Sequence, residues 1–290
     1  MKSIKTSTCI IAALLIVCGN TFATTKTTAV ADMVMDTALA DIVVEDRYYD
    51  APIGGSRLAP GESEIITFAW SDDNYIGLPN NVPYYHNIEG YDNSCGAIAG
   101  SIVVGYYDKY LQNLMPDYTN YYPATGKYRP QDSTHYPVLL QSMYTLMQTN
   151  VTGPGVTQTE CMNGLEAYVE GKGYSIDYTA VKPLNGNFND NIYKNAINNG
   201  QPVLLFCDAI ELLSSDSGET QNEFMVSQVS QDHIMVGFGY RVIRYYDESD
   251  VNFRTDIYLK VASGWNPNDM GYIHLNDDSC LDSAYAVHIY

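Results

Sequence analysis

The hydrophobic positions of residues 94–108 follow a helical period. Ile98, Ile102 and Tyr106 fall on one face, four residues apart. The glycines and valines between them are mediocre helix formers, so burial rather than intrinsic propensity must stabilise such a helix. The pattern predicts a central, buried helix that begins near Cys95.

Three further segments carry apolar residues at helical spacing, and they span residues 136–147, 159–171 and 189–198. The last segment is followed by Asn199 and Gly200, a pair typical of a helix C-terminus. We therefore expect four helices in the first part of the main domain.

Beyond residue 202 the pattern changes to short apolar runs bounded by polar residues. These runs, each predicted to be a strand of an antiparallel sheet, cover residues 203–207, 234–238, 257–261, 272–275 and 284–290. Helices followed by a sheet are typical of an α+β fold, here expected as two packed lobes.

The first residues have the features of a secretory leader. Lys2 and Lys5 precede an apolar run, residues 9–17, that is too short to span a bilayer. We expect cleavage after Ala23, which makes residues 1–23 a signal peptide and the protein secreted or held at the cell surface. No membrane span is expected.

Two interpretations remain for residues 24–73, which contain one strand-like run at 64–70. They form a linker or a short propeptide-like arm, or they form a strand and an arm of the main fold. Residues 74–290 are assigned to the main domain.

Composition and charge narrow the classes of partner. The chain has 34 acidic and 15 basic residues, and loss of the two leader lysines changes its net charge from −19 to 13 − 34 = −21. Such a surface repels phosphate backbones, so no nucleic-acid partner is expected. An apolar content of 46% suffices for one main domain of about 200 residues.

Cysteine and histidine spacing gives no sign of a metal site. Cys95, Cys161, Cys207 and Cys280 follow the leader without any Cys-x-x-Cys pair, and the five histidines are scattered. We therefore expect no zinc and no other metal. The last three of these cysteines are expected to be buried or disulfide-bonded.

Cys95 is the leading candidate for chemistry. A thiol in the first turn of a buried helix lies beside unpaired backbone N–H groups and the positive end of the helix dipole, and both stabilise a thiolate. The backbone N–H of Cys95 also points to where a tetrahedral oxyanion would form. The alternative is a structural or disulfide-bonded cysteine.

His233 is the candidate general base. It follows the polar residues 230–232 and leads into an apolar run, so we expect it at the entrance of a strand, with its ring projecting across a cleft. Its order and separation from Cys95 match a nucleophile on a helix and a base on a facing sheet. Taken alone, it could be an ordinary surface histidine.

A group that orients the base is expected from the next strand. Asn266 is the candidate, with Asp269 and Ser263 as alternatives, and Trp265 is placed to shield the histidine from water. The same residues could simply form a turn.

Asn87 is the candidate oxyanion donor. It lies in the loop before Cys95, as does the alternative, Asn93. Either carboxamide can donate a hydrogen bond, whereas an ionised Glu89 in the same loop cannot.

From about Val82 to Tyr272, the chain resembles the C39-like bacterial cysteine peptidases of the papain-like superfamily. The motifs that carry the resemblance are Val82-Pro-Tyr-Tyr85, Cys95-Gly-Ala-Ile98, Gly105-Tyr-Tyr-Asp108, Gly164-Leu-Glu-Ala-Tyr168, Asn199-Gly-Gln-Pro-Val203, Asp232-His233 and Asn266-Pro267. The specificity lies in their order, since none is decisive alone. There are three departures from the family pattern: Asn87 replaces glutamine, Ala97-Ile98 replaces Pro-Thr, and Asn266 replaces aspartate.

The resemblance implies a papain-like fold, with a helical lobe and a central nucleophile helix packed on an antiparallel sheet. It also implies a monomeric cysteine peptidase that hydrolyses peptide or protein substrates through a thioester, without a cofactor. Two alternatives stay open. One is a peptidoglycan amidase or transpeptidase that uses the same Cys-His pair, and the other is a catalytically inactive domain that binds a partner.

Overall fold

The structure, a computed structural model, describes residues 47–48, 63–65, 70–78, 81–215, 223–265, 270–275 and 280–290. All of them belong to one unit, Glu45–Tyr290. The predicted leader, residues 1–23, and the candidates Asn266 and Asp269 lie outside the described residues.

Four helices occur in the described residues, and each begins and ends within one residue of the predicted position. They are α1 (Cys95–Asp108), α2 (His135–Leu146), α3 (Gln158–Gly171) and α4 (Asp190–Asn198). Within this part of the chain, no helix is long and apolar enough to span a membrane.

The helix α1 lies in the centre of the core, as predicted, and all of its residues are buried. Its small residues allow other elements to approach closely. A Cβ added to Gly96 would lie only 2.7 Å from Val156 Cγ2, and one added to Gly100 would lie 2.7 Å from Met147 Cε. Larger side chains at these two positions would push neighbouring elements away from the helix.

Side-chain hydrogen bonds explain where α3 and α4 begin, and a glycine explains where α4 ends. The Thr157 hydroxyl accepts a hydrogen bond from Glu160 N at 3.1 Å, while the Glu160 carboxylate accepts one from Thr157 N at 2.8 Å, which forms a capping box. The Asn189 side chain accepts one from Ile192 N at 3.1 Å. Gly200, with φ +76°, ends α4 in the left-handed region that favours glycine.

The strands of the described residues are as follows: β1 (Arg47–Tyr48), β2 (Ser63–Ile65), β3 (Trp70–Gly77), β4 (Tyr121–Tyr122), β5 (Lys127–Tyr128), β6 (Val156–Thr157), β7 (Ile176–Lys182), β8 (Val203–Ser215), β9 (Glu223–Tyr246), β10 (Asn252–Ala262), β11 (Met270–His274) and β12 (Leu281–Ile289). Each of the five strands predicted after residue 202 overlaps one of them, and the strand-like run at 64–70 overlaps β2 and the first residue of β3. The rest of β3, β7 and the two-residue strands were not predicted.

Eight of these strands form one large antiparallel sheet. Its order is β2-β9-β10-β11-β8-β12-β7, and β9 also pairs with β3 and β8. Helices together with one large antiparallel sheet make the fold α+β, as predicted from the sequence.

The strand β9 corrects the expectation for His233. Residues 230–232 were predicted to be a polar turn before a strand, but they continue β9, and Gln231 pairs with Ala209 of β8. His233 therefore lies inside a 24-residue strand, opposite Cys207. The backbone groups of Ser230 and Gln231 are paired with β8 by hydrogen bonds. Their polar side chains gave no sign of this pairing. Asp232, at φ +54°, marks a local irregularity just before the histidine.

Four strands of the sheet, β8, β9, β10 and β11, pair in a closed circle. The strand β8 pairs with β9, β9 with β10, β10 with β11, and β11 with β8. Side chains from these four strands form a second buried cluster, separate from the main core: Leu213, Phe224, Val226, Ile243, Tyr245 and Tyr258, with Tyr272 packed against them. We call this group the distal cluster.

The described parts of the N-terminal arm pair with the main fold. The strand β1 pairs with β6, and both β2 and β3 pair with β9. Tyr48 is buried, and its ring lies 5.2 Å from that of Phe206. The predicted boundary between residues 73 and 74 falls inside β3. Whether the arm is a propeptide or a part of the main fold stays a prediction.

Candidate active site

The first turn of α1 carries Cys95. Ser94 is the N-cap residue, its side chain does not cap the helix, and the first turn contains no acidic residue. Ser94 O accepts its hydrogen bond from Ile98 N at 2.9 Å. The backbone N–H of Cys95 precedes that bond, so it has no acceptor within the helix. A negative charge that develops beside this turn is stabilised by the helix dipole.

Cys95 is a thiol and forms no disulfide. It exposes only 2% of its surface. The thiol is therefore not consumed in a disulfide, and the surrounding protein encloses it almost completely.

His233 is held by the backbone of a neighbouring turn. Its Nε2 lies 2.8 Å from Ser263 O, and the residue is 1% exposed. A carbonyl oxygen can only accept, so Nε2 must carry the proton of this bond. In the neutral ring, Nδ1 is then the basic nitrogen.

The turn that holds His233 is itself fixed by a hydrogen bond between residues two positions apart. Trp265 N donates to the Ser263 hydroxyl at 3.1 Å, and Gly264 between them has φ +78°. The Trp265 ring stacks on the His233 ring, with 4.0 Å between centroids and 22° between planes. One turn thus supplies both a hydrogen-bond acceptor for the edge of the imidazole and a cover for its face.

Packing brings the first turn of α1 against the elements that hold His233. A Cβ added to Gly96 would lie 3.3 Å from Ile234 Cδ1, the residue after the histidine. A Cβ added to Gly264 would lie 2.9 Å from Ile98 Cγ2, so this turn lies directly on α1. Cys95 and His233 therefore belong to one region of the molecule.

Asn87 joins the same region. Its backbone N–H donates to Gly264 O at 3.1 Å, and its side-chain Oδ1 accepts a hydrogen bond from the Ser94 hydroxyl at 3.3 Å. Asn87 is exposed to solvent. It lies between the N-terminus of α1 and the turn that orients His233, the position in which an oxyanion donor is useful.

The loop around Asn87 is anchored from the far side. The backbone N–H of His86 donates to Gln131 Oε1 at 2.9 Å, and the Tyr136 hydroxyl donates to His86 O at 2.9 Å. Tyr85 is 2% exposed and stacks on Tyr136 at 4.4 Å. Tyr85 is therefore a core residue and does not line a cleft.

Two participants were not predicted in the form that the structure shows. Ser263 was considered as an orienting side chain, but it contacts His233 through its backbone carbonyl. Ser94 was not singled out at all, although serine is a preferred N-cap residue and stands directly before the cysteine that opens the helix. The role predicted for Asn266 stays a prediction, because that residue lies outside the described part of the chain.

The other cysteines are set apart by burial. Cys161 and Cys207 are fully buried, and Cys280 is half-buried. Burial raises the pKa of the Cys207 thiol, and the negative charges of Cys280 and Asp282 nearby add to the shift. Within the described residues, no group of three or more His, Cys, Asp and Glu side chains is placed to hold a metal ion.

A pocket of about 190 Å³ lies between α2, the C-terminal end of α3 and the loop after α1. It is lined in part by Met115, Tyr118, His135 and Lys172. None of its lining residues is a candidate site residue, so it is separate from the region of Cys95 and His233.

Comparison with known proteins adds no assignment. No protein-family model matches the chain, and no curated protein matches it either. The resemblance to C39-like peptidases therefore stays a prediction that rests on the residues themselves.

Proposed function

We propose that this chain is a cysteine hydrolase of the papain-like type that cleaves peptide bonds, with Cys95 as nucleophile and His233 as general base. Support comes from the buried helix α1, which opens at Cys95 and packs on the antiparallel sheet that carries His233. The order of motifs along the chain supports the same papain-like arrangement.

The observation that carries the proposal is the hydrogen bond between His233 Nε2 and Ser263 O. It fixes the tautomer in which Nδ1 can accept a proton. The bond is kept when the ring becomes a cation, because Nε2 donates in both states. Such an imidazole can take up and return a proton without rotating, which a general base requires.

In the proposed acylation step, the Cys95 thiol proton moves to His233 Nδ1 while Sγ forms a bond with the carbonyl carbon of the substrate. The resulting oxyanion is stabilised by the Cys95 backbone N–H and by Asn87 Nδ2. When the intermediate collapses, the C–N bond breaks, and the leaving amine takes the proton from His233. A thioester on Cys95 remains.

Deacylation repeats these roles with water. His233 Nδ1 accepts a proton from water, whose oxygen attacks the thioester carbon, and the same donors hold the second oxyanion. The C–S bond then breaks, the acid product leaves, and the proton returns to the thiolate. These steps need no metal or organic cofactor.

The test is peptide cleavage by the full chain. We expect the protein to generate new termini in a mixed peptide pool, detected by mass spectrometry, and the Cys95→Ala variant to generate none. Cys207→Ala is the matched control, because it removes another buried thiol and should keep the activity. Equal cleavage by the Cys95→Ala variant would contradict the assignment of the nucleophile. A pool left uncut by the wild-type chain would favour the binding alternative.

A further inference from the structure

The N-cap residue of α1 differs in its bonding from Thr157 and Asn189, the N-cap residues of α3 and α4, whereas Thr134 of α2 also makes no side-chain cap. Thr157 and Asn189 each accept a hydrogen bond from a backbone N–H in the first turn of their own helix. Ser94 does not, although serine is among the preferred N-cap residues. Its hydroxyl instead donates to Asn87 Oδ1 at 3.3 Å.

In the structure, the Ser94 hydroxyl donates to Asn87 Oδ1 and so holds the Asn87 carboxamide with its oxygen toward Ser94. Ser94 is 1% exposed, so water offers its hydroxyl no ready alternative to Oδ1. With Oδ1 held toward Ser94, the amide N–H groups of Asn87 point away from it. The backbone of Asn87 is fixed independently, by the bond from its N–H to Gly264 O at 3.1 Å. Both ends of this exposed residue are therefore held.

We propose that Ser94 is a positioning residue of the oxyanion site: its hydroxyl orients the Asn87 carboxamide so that Nδ2 donates to the same oxyanion as the Cys95 backbone N–H. Ser94 touches no reacting atom and acts through Asn87. Its role deepens the proposed hydrolase function and depends on it. Because the Ser94 hydroxyl does not cap α1, it also leaves the N–H groups of the first turn to the substrate.

Asparagine gains particular benefit from such a neighbour. A carboxamide that rotates by half a turn presents a carbonyl oxygen, which repels an oxyanion, where an N–H donor is needed. Loss of one oxyanion donor typically lowers the rate by about 10²–10³-fold. Loss of orientation alone should cost part of that, roughly 10-fold, since the donor is still present for some of the time.

The experiment compares two reactions of Cys95 that differ in their need for an oxyanion site. Acylation by 4-nitrophenyl acetate forms a tetrahedral oxyanion: Sγ bonds to the acetyl carbon, 4-nitrophenolate leaves, and His233 takes the thiol proton. Alkylation by iodoacetamide displaces iodide at a CH₂ carbon and forms no oxyanion. The two rates on the full chain therefore separate the oxyanion site from the reactivity of the thiol.

We expect Ser94→Ala to lower the acylation rate roughly 10-fold and to leave the alkylation rate of Cys95 within about 2-fold. Ser94→Thr keeps the hydroxyl and should restore most of the acylation rate. In an Asn87→Ala background, Ser94→Ala should have no further effect, because its only route of action is gone. Near-UV circular dichroism checks that each variant is folded.

Three results would overturn the role of Ser94 alone: an unchanged acylation rate in Ser94→Ala, an equal loss of alkylation, or a full Ser94→Ala effect without Asn87. The second result would mean that Ser94 only supports the helix or the thiol. If the wild-type Cys95 is neither acylated nor alkylated faster than Cys207, the proposed hydrolase function fails and the role of Ser94 fails with it.

Discussion

Two histidines of this protein, His233 and His274, lie in the same sheet and stack on aromatic rings, yet the polar groups beside their Nε2 atoms differ. His233 stacks on Trp265, and its Nε2 is bonded to the neutral Ser263 carbonyl. His274 stacks on Tyr258 at 4.6 Å, with its Nε2 3.7 Å from the Asp256 carboxylate.

The surroundings of Asp256 are those of a structural network. This carboxylate is fully buried, and it accepts hydrogen bonds from Arg254 Nε at 2.7 Å and from the Tyr258 hydroxyl at 3.4 Å. Tyr258 also stacks on Phe224 of the distal cluster at 4.0 Å. A buried charge that is paired in this way contributes to one fixed arrangement of the sheet.

The comparison teaches that stacking on an aromatic ring does not by itself distinguish the proposed general base from a structural histidine. At His233, the partner of Nε2 is a neutral backbone carbonyl. At His274, Nε2 lies near a carboxylate that is itself paired with Arg254. Changes in the two regions should therefore affect different properties, activity in one and stability in the other.

The largest difference is expected between His233→Ala and His274→Ala. Loss of a general base typically lowers a rate by about 10²–10⁴-fold, so His233→Ala should nearly abolish acylation of Cys95. His274→Ala should keep the acylation rate within about 2-fold and lower the free energy of unfolding by about 1–2 kcal/mol. Stopped-flow acylation and urea unfolding measure the two effects, and equal rate losses in both variants would contradict the comparison.

Asp256→Ala should produce the largest loss of stability in the distal region. It removes the buried partner of Arg254, whose side chain is 31% exposed. We expect a loss of about 2–4 kcal/mol, below that of a fully buried pair because the arginine can still reach water. The acylation rate of the folded fraction should be unchanged. A urea midpoint equal to that of the wild type would show that the pair does not stabilise the sheet.

A smaller effect on stability is expected from a change at Asp108, a buried carboxyl that is hydrogen-bonded to a backbone N–H. Its Oδ1 accepts a hydrogen bond from Met115 N at 2.9 Å, and burial raises its pKa to about 7. A raised folded-state pKa means that its favourable contribution is full below about pH 4 and is lost as the pH rises through 7.

Asp108→Asn keeps the acceptor and removes the charge, so it should stabilise the protein at pH 8 and have little effect at pH 4. The difference should be on the order of 1–3 kcal/mol. Urea unfolding of both chains at several pH values measures it. A variant that stabilises equally at both pH values would contradict the shift.

Much of the fold was predictable from periodicity. The helix α1 begins at Cys95 as predicted, because Ile98, Ile102 and Tyr106 mark its apolar face. The length of β9 was not predictable in the same way. Its residues Ser230 and Gln231 are polar, and only the backbone pairing with β8 shows that they belong to a strand.

The candidate site was predicted from residue types, and its hydrogen bonds could not be predicted from them. Cys95, His233 and Asn87 were chosen because each side chain suits its proposed role. The contact of His233 with Ser263 is made by a backbone carbonyl, which every residue possesses. No side-chain pattern can single out such an acceptor, and only the turn at Gly264 brings it to the imidazole.

The most direct test of the central claim compares the alkylation rates of Cys95 and Cys207 by iodoacetamide in one sample, resolved by mass spectrometry. Burial raises the pKa of the Cys207 thiol, so this residue provides an internal reference for a buried, structural cysteine. We predict that Cys95 reacts at least about 10 times faster at pH 6–7, and that His233→Ala removes most of this advantage. Equal rates at the two cysteines, or a Cys95 rate unaffected by His233→Ala, would contradict the account.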